Sequence, residues 1–216
     1  MFLIDKPADM TSFGVVARLR RILSEQMGHK VKVGHTGTLD PFATGLLIVM
    51  AGKGTKRCQE FLKLDKKYEA TIRLGAISTT GDVEGEISEH LVERKPTLAE
   101  VEQTLGIFKG EIWQTVPAYS AVKIDGKRAY DLARAGKKVE MPRRKVQIYD
   151  IKILDYTWPE LKIACHVSSG TYIRALGQDI GEKLGVGGYL TKLRRTQIGE
   201  YRVEDAEKLV ELGITD

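Results

Sequence analysis

The chain has 216 residues, of which 42% are hydrophobic and 29% are charged, and its formal net charge is +5. This is the composition of a folded globular protein, which excludes a disordered, a collagen-like or a disulfide-stapled chain. The two cysteines, Cys58 and Cys165, lie far apart and indicate buried, reduced thiols in a cytoplasmic protein.

The pattern of apolar residues predicts a series of strands and helices. In chain order these are a strand at 2–4, a helix capped by Thr11 or Ser12, strands at 31–33 and 46–51, a helix at 55–64, a strand at 68–74, a helix from the capping box of Thr97 and Glu100 to 108, strands at 146–156 and 161–167, and helices at 173–184 and 204–212. Helices mixed with strands that pair antiparallel indicate an α+β fold with a mixed, mainly antiparallel sheet flanked by helices.

The chain shows no sign of division or of a membrane segment. No linker rich in Pro, Gly or Ser interrupts it, so we expect a single domain over residues 1–216. Its longest apolar run near the motif region is far shorter than the roughly 20 residues that span a bilayer. The first residues also lack the pattern of a signal peptide.

Basic charge is concentrated in one segment. Residues 123–145 hold nine basic and three acidic residues, so the remainder of the chain has a net charge of −1. Such clustering is typical of a protein that binds a polyanion. The alternatives are a solvated surface and a membrane-surface segment, and the second is weakened by the glycines and the proline that interrupt the stretch.

The loop at 34–45 carries the strongest candidate for chemistry. It contains three glycines, which allow tight turns, and it places Asp40 directly before Pro41, which disfavours helical geometry at Asp40. A carboxylate at such a bend can be presented into a cleft, although a structural turn is the alternative. The spacing of Gly34 and Gly37 also matches the GxxG clamp of KH domains, which bind RNA without catalysis.

Several other chemistries lack their motifs. The chain has no phosphate-binding loop, no zinc-deaminase signature and no Gly-x-Ser-x-Gly nucleophile elbow, and its four histidines do not have metal-ligand spacing. A lone carboxylate therefore remains, acting as nucleophile or base without cofactor or metal.

The loop and five further segments resemble a known family. They are, in chain order, residues 5–12 (Asp-Lys-Pro…Met-Thr-Ser), the loop sequence Gly-His-Thr-Gly-x-Leu-Asp-Pro-x-Ala-x-Gly, and residues 65–68, 116–123, 169–176 and 193–196. Together they resemble the TruB family of tRNA pseudouridine synthases. The resemblance implies the pseudouridine synthase fold, isomerisation of uridine 55 in the T loop of tRNA by base flipping, and no cofactor. Many members carry a C-terminal PUA domain, and we expect none here, because only about 20 residues follow the last of these motifs.

The resemblance also implies roles for individual residues. Asp40 matches the aspartate that attacks the target nucleoside, and Arg174 the arginine that ion-pairs with it. Tyr68 matches the aromatic residue that stacks on the extruded base, while Tyr172 and Leu193 match other residues of the uracil pocket. Whether Asp40 attacks the base or acts through the sugar stays open.

Further positions are implied to bind the RNA. His35 matches a histidine that fills the space vacated by the flipped base. An insertion at about 117–146 matches the segment that grips RNA, for which Lys123, Lys137 and Lys138 are the candidate contacts. Asp82 aligns with an acidic position of the family, or it is a turn aspartate.

These expectations define a monomeric cytoplasmic enzyme that acts on the T stem-loop of tRNA. Two alternatives remain. One is an RNA-binding protein that helps tRNA to fold and has lost catalysis, against which the presence of Asp40, Tyr68 and Arg174 argues. The other is the same chemistry on a different RNA hairpin.

Overall fold

The computed structural model describes residues 1–120, 122–124, 126–135 and 140–212. They fall into two compact units. The first unit comprises residues 1–69 and 192–216, and the second comprises residues 70–191.

The elements alternate along the chain. The first are β1 (Phe2–Lys6), α1 (Ser12–Met27), β2 (Val33–His35), β3 (Thr44–Ala51), a 3₁₀ turn (Gly52–Arg57), α2 (Cys58–Leu62), β4 (Lys66–Leu74), β5 (Ala76–Ser78), β6 (Ile87–Glu89), α3 (Leu98–Ile107) and β7 (Gly110–Thr115). They are followed by β8 (Lys123–Ile124), β9 (Lys127–Arg128), α4 (Ala129–Arg134), β10 (Arg143–Thr157), β11 (Glu160–Val167), α5 (Ile173–Lys183), β12 (Gly188–Ile198), β13 (Tyr201–Arg202), a 3₁₀ turn (Val203–Asp205), β14 (Glu207–Lys208) and a 3₁₀ turn (Leu209–Leu212).

The first unit is a mixed sheet with α1 packed against it. Its strands run in the order β14-β1-β3-β12, with β2 beside β3 and β13 beside β12. The helix begins where the Thr11 hydroxyl accepts the N–H of Gly14. It ends before Gly28, because the φ of 67° at this residue is left-handed and cannot continue a right-handed helix. Its buried face, which includes Val15 and Leu19, packs against Ile4 and the apolar residues of β3.

The second unit contains a sheet in which β7, β10 and β11 pair antiparallel. Its strands run in the order β4-β11-β10-β7, and β10 pairs antiparallel with both neighbours. Hairpins β5-β6 and β8-β9 lie outside this sheet. The predicted capping box of Thr97 and Glu100 opens α3. Helix α3 packs on β10, and α5 packs on β7.

The predicted α+β class is therefore confirmed, with several corrections to individual elements. The helix predicted at 204–212 is wrong, because this segment consists of two 3₁₀ turns and the strand β14, which pairs with β1. The helix predicted at 55–64 is largely a 3₁₀ turn followed by the short α2, and the strand predicted at 31–33 begins at Val33 instead. Strands β7 and β12 were not predicted. Cys58 and Cys165 form no disulfide, and only Cys165 is buried, whereas Cys58 is half-buried.

Within the described ranges, no helix combines the length and the apolar character needed to cross a membrane.

Candidate active site

The loop that carries Asp40 connects β2 to β3 in the first unit, as predicted. Asp40 is half-buried, and its backbone carbonyl accepts the N–H of Ala43 at 3.1 Å, which closes the turn. The preceding residue, Leu39, is held by Ser12, whose hydroxyl both donates to the Leu39 carbonyl and accepts its N–H, each at 2.8 Å. The sequence left Ser12 as a candidate helix cap, but Thr11 fills that role and Ser12 holds the loop.

A buried lysine holds the other side of Asp40. The Lys6 ammonium donates to the carbonyls of Pro41 at 3.0 Å, Met10 at 2.6 Å and Pro7 at 2.7 Å. An ammonium has three N–H donors, so three carbonyl partners offset the cost of burying it. Lys6 therefore ties the segment before α1 to the residue that follows Asp40.

Arg195 on β12 holds the flanks of the same loop. Its guanidinium is 1% exposed and donates to the carbonyls of Leu46 at 2.8 Å, Gly37 at 3.1 Å and Thr38 at 3.4 Å. The backbone of Arg195 also pairs with Gly45, where a Cβ atom would lie 2.3 Å from the Arg195 carbonyl oxygen. Only glycine allows this approach, which explains one glycine of the motif. Lys6 and Arg195 lie within the family-like segments, but their holding roles were not predicted.

His35 ends β2 at the start of the loop. Its Nδ1 accepts the N–H of Gly37 at 3.3 Å, so the other ring nitrogen carries the proton in the neutral form. Burial, and then the nearby charge of Arg195, hold the pKa of His35 below its usual value of 6.5. The imidazole is therefore mainly uncharged at pH 7, which suits a ring that stacks among bases.

Two other predicted residues lie in the first unit. Tyr68 is buried on β4, and Leu193 is buried on β12. The same unit contains the buried Lys66, which was not predicted and which donates to the carbonyls of Leu62 and Leu64. Burial, and then repulsion by Arg195, lower the pKa of Lys66 to about 8. Two mutually repelling cations, Lys66 and Arg195, therefore share the interior of the unit that carries Asp40.

The second unit contains Arg174, which the structure pairs with Asp82. The Arg174 Nε lies 3.4 Å from Asp82 Oδ2, and both residues are at least 95% buried. The two terminal nitrogens of Arg174 donate to the carbonyls of Thr80 at 2.9 Å and Tyr119 at 2.8 Å. Arg174 is thus fixed by contacts from two other parts of the chain and is not a surface charge.

Asp82 is itself held by its own turn. Its Oδ1 accepts the hydroxyl of Thr80 at 2.5 Å and the N–H of Glu84 at 3.0 Å. It is therefore both a turn aspartate and the buried partner of an arginine, so the two interpretations of this position are compatible. The predicted pair of Asp40 and Arg174 joins residues of different units and stays a prediction.

Tyr172, the residue before α5, is positioned by a glutamine that was not predicted. The fully buried Gln114 on β7 accepts the backbone N–H of Tyr172 at 2.8 Å and donates to its carbonyl at 3.0 Å. The Arg144 guanidinium lies 5.5 Å from the centre of the Tyr172 ring. Recognition of β7 as a strand would have placed Gln114 on its inward face and drawn attention to it.

The predicted RNA-gripping insertion is described in part. Lys123 is exposed on the β8-β9 hairpin. Lys137 and Lys138, the other two predicted contacts, lie outside the described residues. Arg143 and Lys145, where the chain leaves the insertion along β10, are exposed.

A second basic surface was missed because its residues are scattered in sequence. Lys30, Lys32, Lys53 and Lys56 are all exposed, and the N–H of Gly52 donates to the Lys32 carbonyl at 2.8 Å. This bond joins the 3₁₀ turn to the segment that enters β2, and β2 ends at His35. Exposed lysines thus lie along the approach to the Asp40 loop.

The described residues hold no group of three or more His, Cys, Asp or Glu side chains arranged to bind a metal ion. The groups that the two units offer are a half-buried carboxylate on a tightly held loop and a neutral imidazole in the first, and a buried arginine in the second.

Comparison with known proteins gives matches to two family models and to curated relatives. Residues 20–173 match the family model described as TruB family pseudouridylate synthase (N terminal domain), and residues 174–213 match the model of the tRNA pseudouridylate synthase B C-terminal domain. The chain is 48% identical to tRNA pseudouridine synthase B of Phocaeicola vulgatus, covering 93% of this chain and 86% of that protein. It is 44% identical to the protein of the same name from Aquifex aeolicus, covering 97% of this chain and 71% of that protein.

Solved structures show the same fold. A Cbf5-Nop10-Gar1 complex contains a chain that superposes with a TM-score of 0.70 at 28% identity, over 99% of this chain and 56% of that one. The archaeal box H/ACA sRNP Nop10-Cbf5 complex contains another, with a TM-score of 0.68 at 29% identity, over 98% of this chain and 51% of that one. The chain thus spans about half the length of these structural relatives.

Proposed function

Because the chain belongs to the TruB family of pseudouridine synthases, we propose that it isomerises uridine 55 in the T loop of tRNA to pseudouridine. The observation that carries this proposal is the placement of Asp40 on a loop whose neighbours are fixed by Lys6, Ser12 and Arg195. Relatives that share nearly half of the sequence are named tRNA pseudouridine synthase B, which supports tRNA as the substrate. We assign the protein to the cytoplasm on the basis of this proposed substrate.

The reaction needs no redox change and no external group. The bond between C1′ of the ribose and N1 of uracil breaks, the base rotates, and a bond forms between C1′ and C5. C5 loses its proton and N1 gains one, so atoms and electrons balance. We assign Asp40 as the nucleophile, either toward the base or toward the sugar, where cleavage develops positive charge that a carboxylate stabilises.

Arg174 is assigned to orient that carboxylate. A guanidinium has five N–H donors in a planar fork, so it can hold several acceptors at once. Its contacts to Asp82, Thr80 and Tyr119 fix the plane of the fork. We assign Asp40 to this guanidinium, in a pair that keeps the carboxylate ionised. Asp82 then serves as a positioning residue, because it holds the guanidinium in place.

The remaining residues bind the extruded nucleotide. Tyr68 is assigned to stack on uracil, with Tyr172 and Leu193 completing the pocket. His35, uncharged at neutral pH, is assigned to fill the vacated position in the T loop, where a flat ring recovers part of the stacking energy lost on flipping. Lys123, Lys137 and Lys138 are assigned to the phosphates of the T stem.

The substitution Asp40→Asn tests the nucleophile. An amide of the same shape cannot attack carbon at neutral pH, so single-turnover isomerisation should fall below detection. Affinity for tRNA should persist, because phosphate contacts and stacking supply most of it. Pseudouridine formation near the wild-type rate would overturn the assignment. Joint loss of binding and of the thermal unfolding transition would instead support a structural turn.

The position of the product tests the substrate. Pseudouridine should appear at position 55 of a tRNA transcript and disappear when that uridine is replaced by cytidine. A product elsewhere, or in a different RNA hairpin of the same cells, would assign the chemistry to another RNA. Binding and accelerated folding of tRNA without any product would identify a non-catalytic RNA chaperone.

A further inference from the structure

An exposed tryptophan lies between two cations at the edge of the second unit's sheet. Trp113 on β7 is 54% exposed, and it pairs in register with Lys145 on β10. The Arg143 guanidinium lies 5.9 Å, and the Lys145 ammonium 5.5 Å, from the centre of the indole ring. Two cations therefore lie next to this indole ring. Its exposure is unusual, because tryptophan is ordinarily among the more buried residues.

This surface lies on the side of β7 opposite to the side that holds Tyr172. Side chains alternate along a strand, and Gln114, the neighbour of Trp113, points inward to hold Tyr172. Trp113, Arg143 and Lys145 therefore lie on the opposite, solvent-facing side of the sheet. They are distinct from the residues assigned to the flipped base.

A second exposed aromatic residue lies on the same side of β10. Tyr149 is 52% exposed, and its ring centre lies 4.7 Å from that of His166 on β11. Tyr149 follows Lys145 by four positions, which is about 13 Å along a regular strand, and it lies at a bulge of β10 between Ile148 and Asp150. Two aromatic positions with cations beside the first form a strip, which we define as Trp113, Arg143, Lys145, Tyr149 and His166.

We propose that this strip binds a single-stranded stretch of the substrate RNA, with an unstacked base on Trp113 and phosphates on Arg143 and Lys145. The proposal rests on the assigned function, since it takes the RNA to be held by the adjacent insertion. Arg143 and Lys145 lie at the end of that insertion, and Trp113 lies on the strand that leads into it, so the strip extends the segment predicted to grip RNA.

Charge favours RNA over an apolar protein partner. Covering Arg143 and Lys145 with an apolar surface would remove their hydration without replacement. The ion pair of Lys145 with Glu111, at 2.8 Å, is exposed on both sides, and such pairs are weak enough for a phosphate to replace the carboxylate. A single strand is favoured over a duplex because base faces are available for stacking only where bases are unpaired.

Fluorescence of Trp113 provides the direct test. The chain has one other tryptophan, Trp158, so the emission difference between the wild-type protein and Trp113→Phe reports Trp113 alone. We expect octauridylate to change this difference signal in a saturable way. A blunt RNA hairpin of equal length, which lacks unpaired nucleotides outside its loop, should change it little. No saturable change with octauridylate would overturn the proposal.

Affinity provides the second test, in the Asp40→Asn background so that no RNA is consumed. Trp113→Ala should raise the Kd for tRNA about five- to tenfold, the lower part of the range measured for loss of one stacked base, because the ring is half-exposed. Trp113→Phe should restore most of the affinity. Leu154→Ala, at a residue of similar exposure on β10, is the matched control and should leave the Kd unchanged.

The outcomes separate this proposal from the assigned function. An unchanged Kd in Trp113→Ala, with the fold intact, would reduce the strip to a surface cation–π cluster and overturn the proposal. A response of Trp113 to octauridylate in a protein that isomerises no tRNA would support the strip while rejecting the assigned function. Isomerisation of tRNA without a Trp113 response to octauridylate would support the assigned function while rejecting the strip.

Discussion

Among the residues that the structure describes, four cationic side chains are buried, and they lie in the units that carry the predicted catalytic groups. Lys6, Lys66, Arg174 and Arg195 are each at least 90% buried, which is rare for such residues. Each donates to two or more backbone carbonyls, and Arg174 also faces a buried carboxylate. Carbonyl contacts offset part of the desolvation cost and fix the backbone in return. The protein thus uses buried charge to hold loops in place.

Removal of the Arg195 guanidinium should loosen the Asp40 loop. Arg195→Met leaves the carbonyls of Gly37, Thr38 and Leu46 without this donor, so we expect the free energy of unfolding to fall by about 3 kcal/mol. The single-turnover rate should fall more than the affinity for tRNA. Urea unfolding and rapid-quench assays measure the two effects.

Two further variants make the Arg195 result specific. Arg195→Lys should recover little, because the three carbonyls are bonded by three separate nitrogens of the guanidinium, which one ammonium nitrogen on a shorter side chain cannot replace. Arg202→Met removes an exposed arginine of β13 and should change stability by no more than about 0.5 kcal/mol. Equal stability of Arg195→Met and the wild type would contradict the holding role.

Lys66 should make stability depend on pH in the alkaline range. Its pKa is lowered from 10.5 to about 8 in the folded chain, so between these values the unfolded chain binds more protons. Stability therefore rises as pH increases through this window, by at most about 3 kcal/mol. Urea midpoints at pH 7.5 and 9.5 should show the wild type gaining stability relative to Lys66→Met. Equal changes of the urea midpoint in both proteins would contradict a contribution from Lys66. The control is Lys67→Met, at an exposed neighbour, which should respond to pH as the wild type does.

Strand β7 links the two ends of the second unit's candidate site. Through Gln114 it holds Tyr172 at the start of α5, and its end leads to Tyr119, whose carbonyl accepts from Arg174. The helix start has no side-chain cap of its own, and the glutamine instead holds the backbone of Tyr172, the residue from which the helix begins. The main contribution of β7 to the candidate site is therefore to position Tyr172 and Tyr119.

Gln114→Leu tests this role of β7. The Tyr172 N–H loses its acceptor, and its carbonyl keeps only the N–H of Leu176 at 3.1 Å, so unfolding should become easier by about 2 kcal/mol and isomerisation should slow. Gln114→Glu keeps the acceptor for the Tyr172 N–H and loses the donor, so its stability should lie between those of the leucine variant and the wild type. Denaturant unfolding and single-turnover rates measure this series. A leucine variant as active and stable as the wild type would show that α5 is positioned by other contacts.

Positive charge is concentrated in two regions of the chain, which the net value of +5 does not reveal. Residues 10–59 hold eight basic and two acidic residues, and residues 123–145 hold nine and three, so the remainder is acidic. A polyanion approaching this protein meets two basic regions, one in each unit. Binding should therefore depend steeply on salt concentration, since each phosphate that is neutralised releases counterions.

The salt dependence can be assigned to one region. Exchange of Lys137 and Lys138 for glutamine should flatten the plot of log affinity for tRNA against log salt concentration by about 1.5, because the slope falls by roughly 0.7–0.9 for each phosphate that is no longer neutralised. The exposed pair Lys95 and Lys208, exchanged in the same way, should leave the slope unchanged. Equal slopes in all three proteins would remove the insertion from the interface.

Local patterns in the sequence were sufficient for much of the fold. The apolar face of α1, the capping box of α3 and the pairing of β10 with β11 were predicted because their determinants lie within a few residues of each other. The segment at 204–212 was predicted wrongly for the opposite reason. It has an apolar spacing that suits a helix, but pairing of Glu207 with Ile4, at the other end of the chain, makes β14 a strand.

The candidate site divides in the same way. Family motifs in the sequence were sufficient to predict Asp40, Tyr68 and Arg174 as site residues, because each lies within a recognisable run of neighbours, and these roles stay predictions. Only the tertiary structure brought Arg195 to the carbonyl of Leu46, 149 residues away, Gln114 to Tyr172, 58 residues away, and Arg174 to the turn at Thr80, 94 residues away. A buried polar side chain must find its partner wherever the fold supplies one, and that choice depends on strand order and register, which local sequence does not encode.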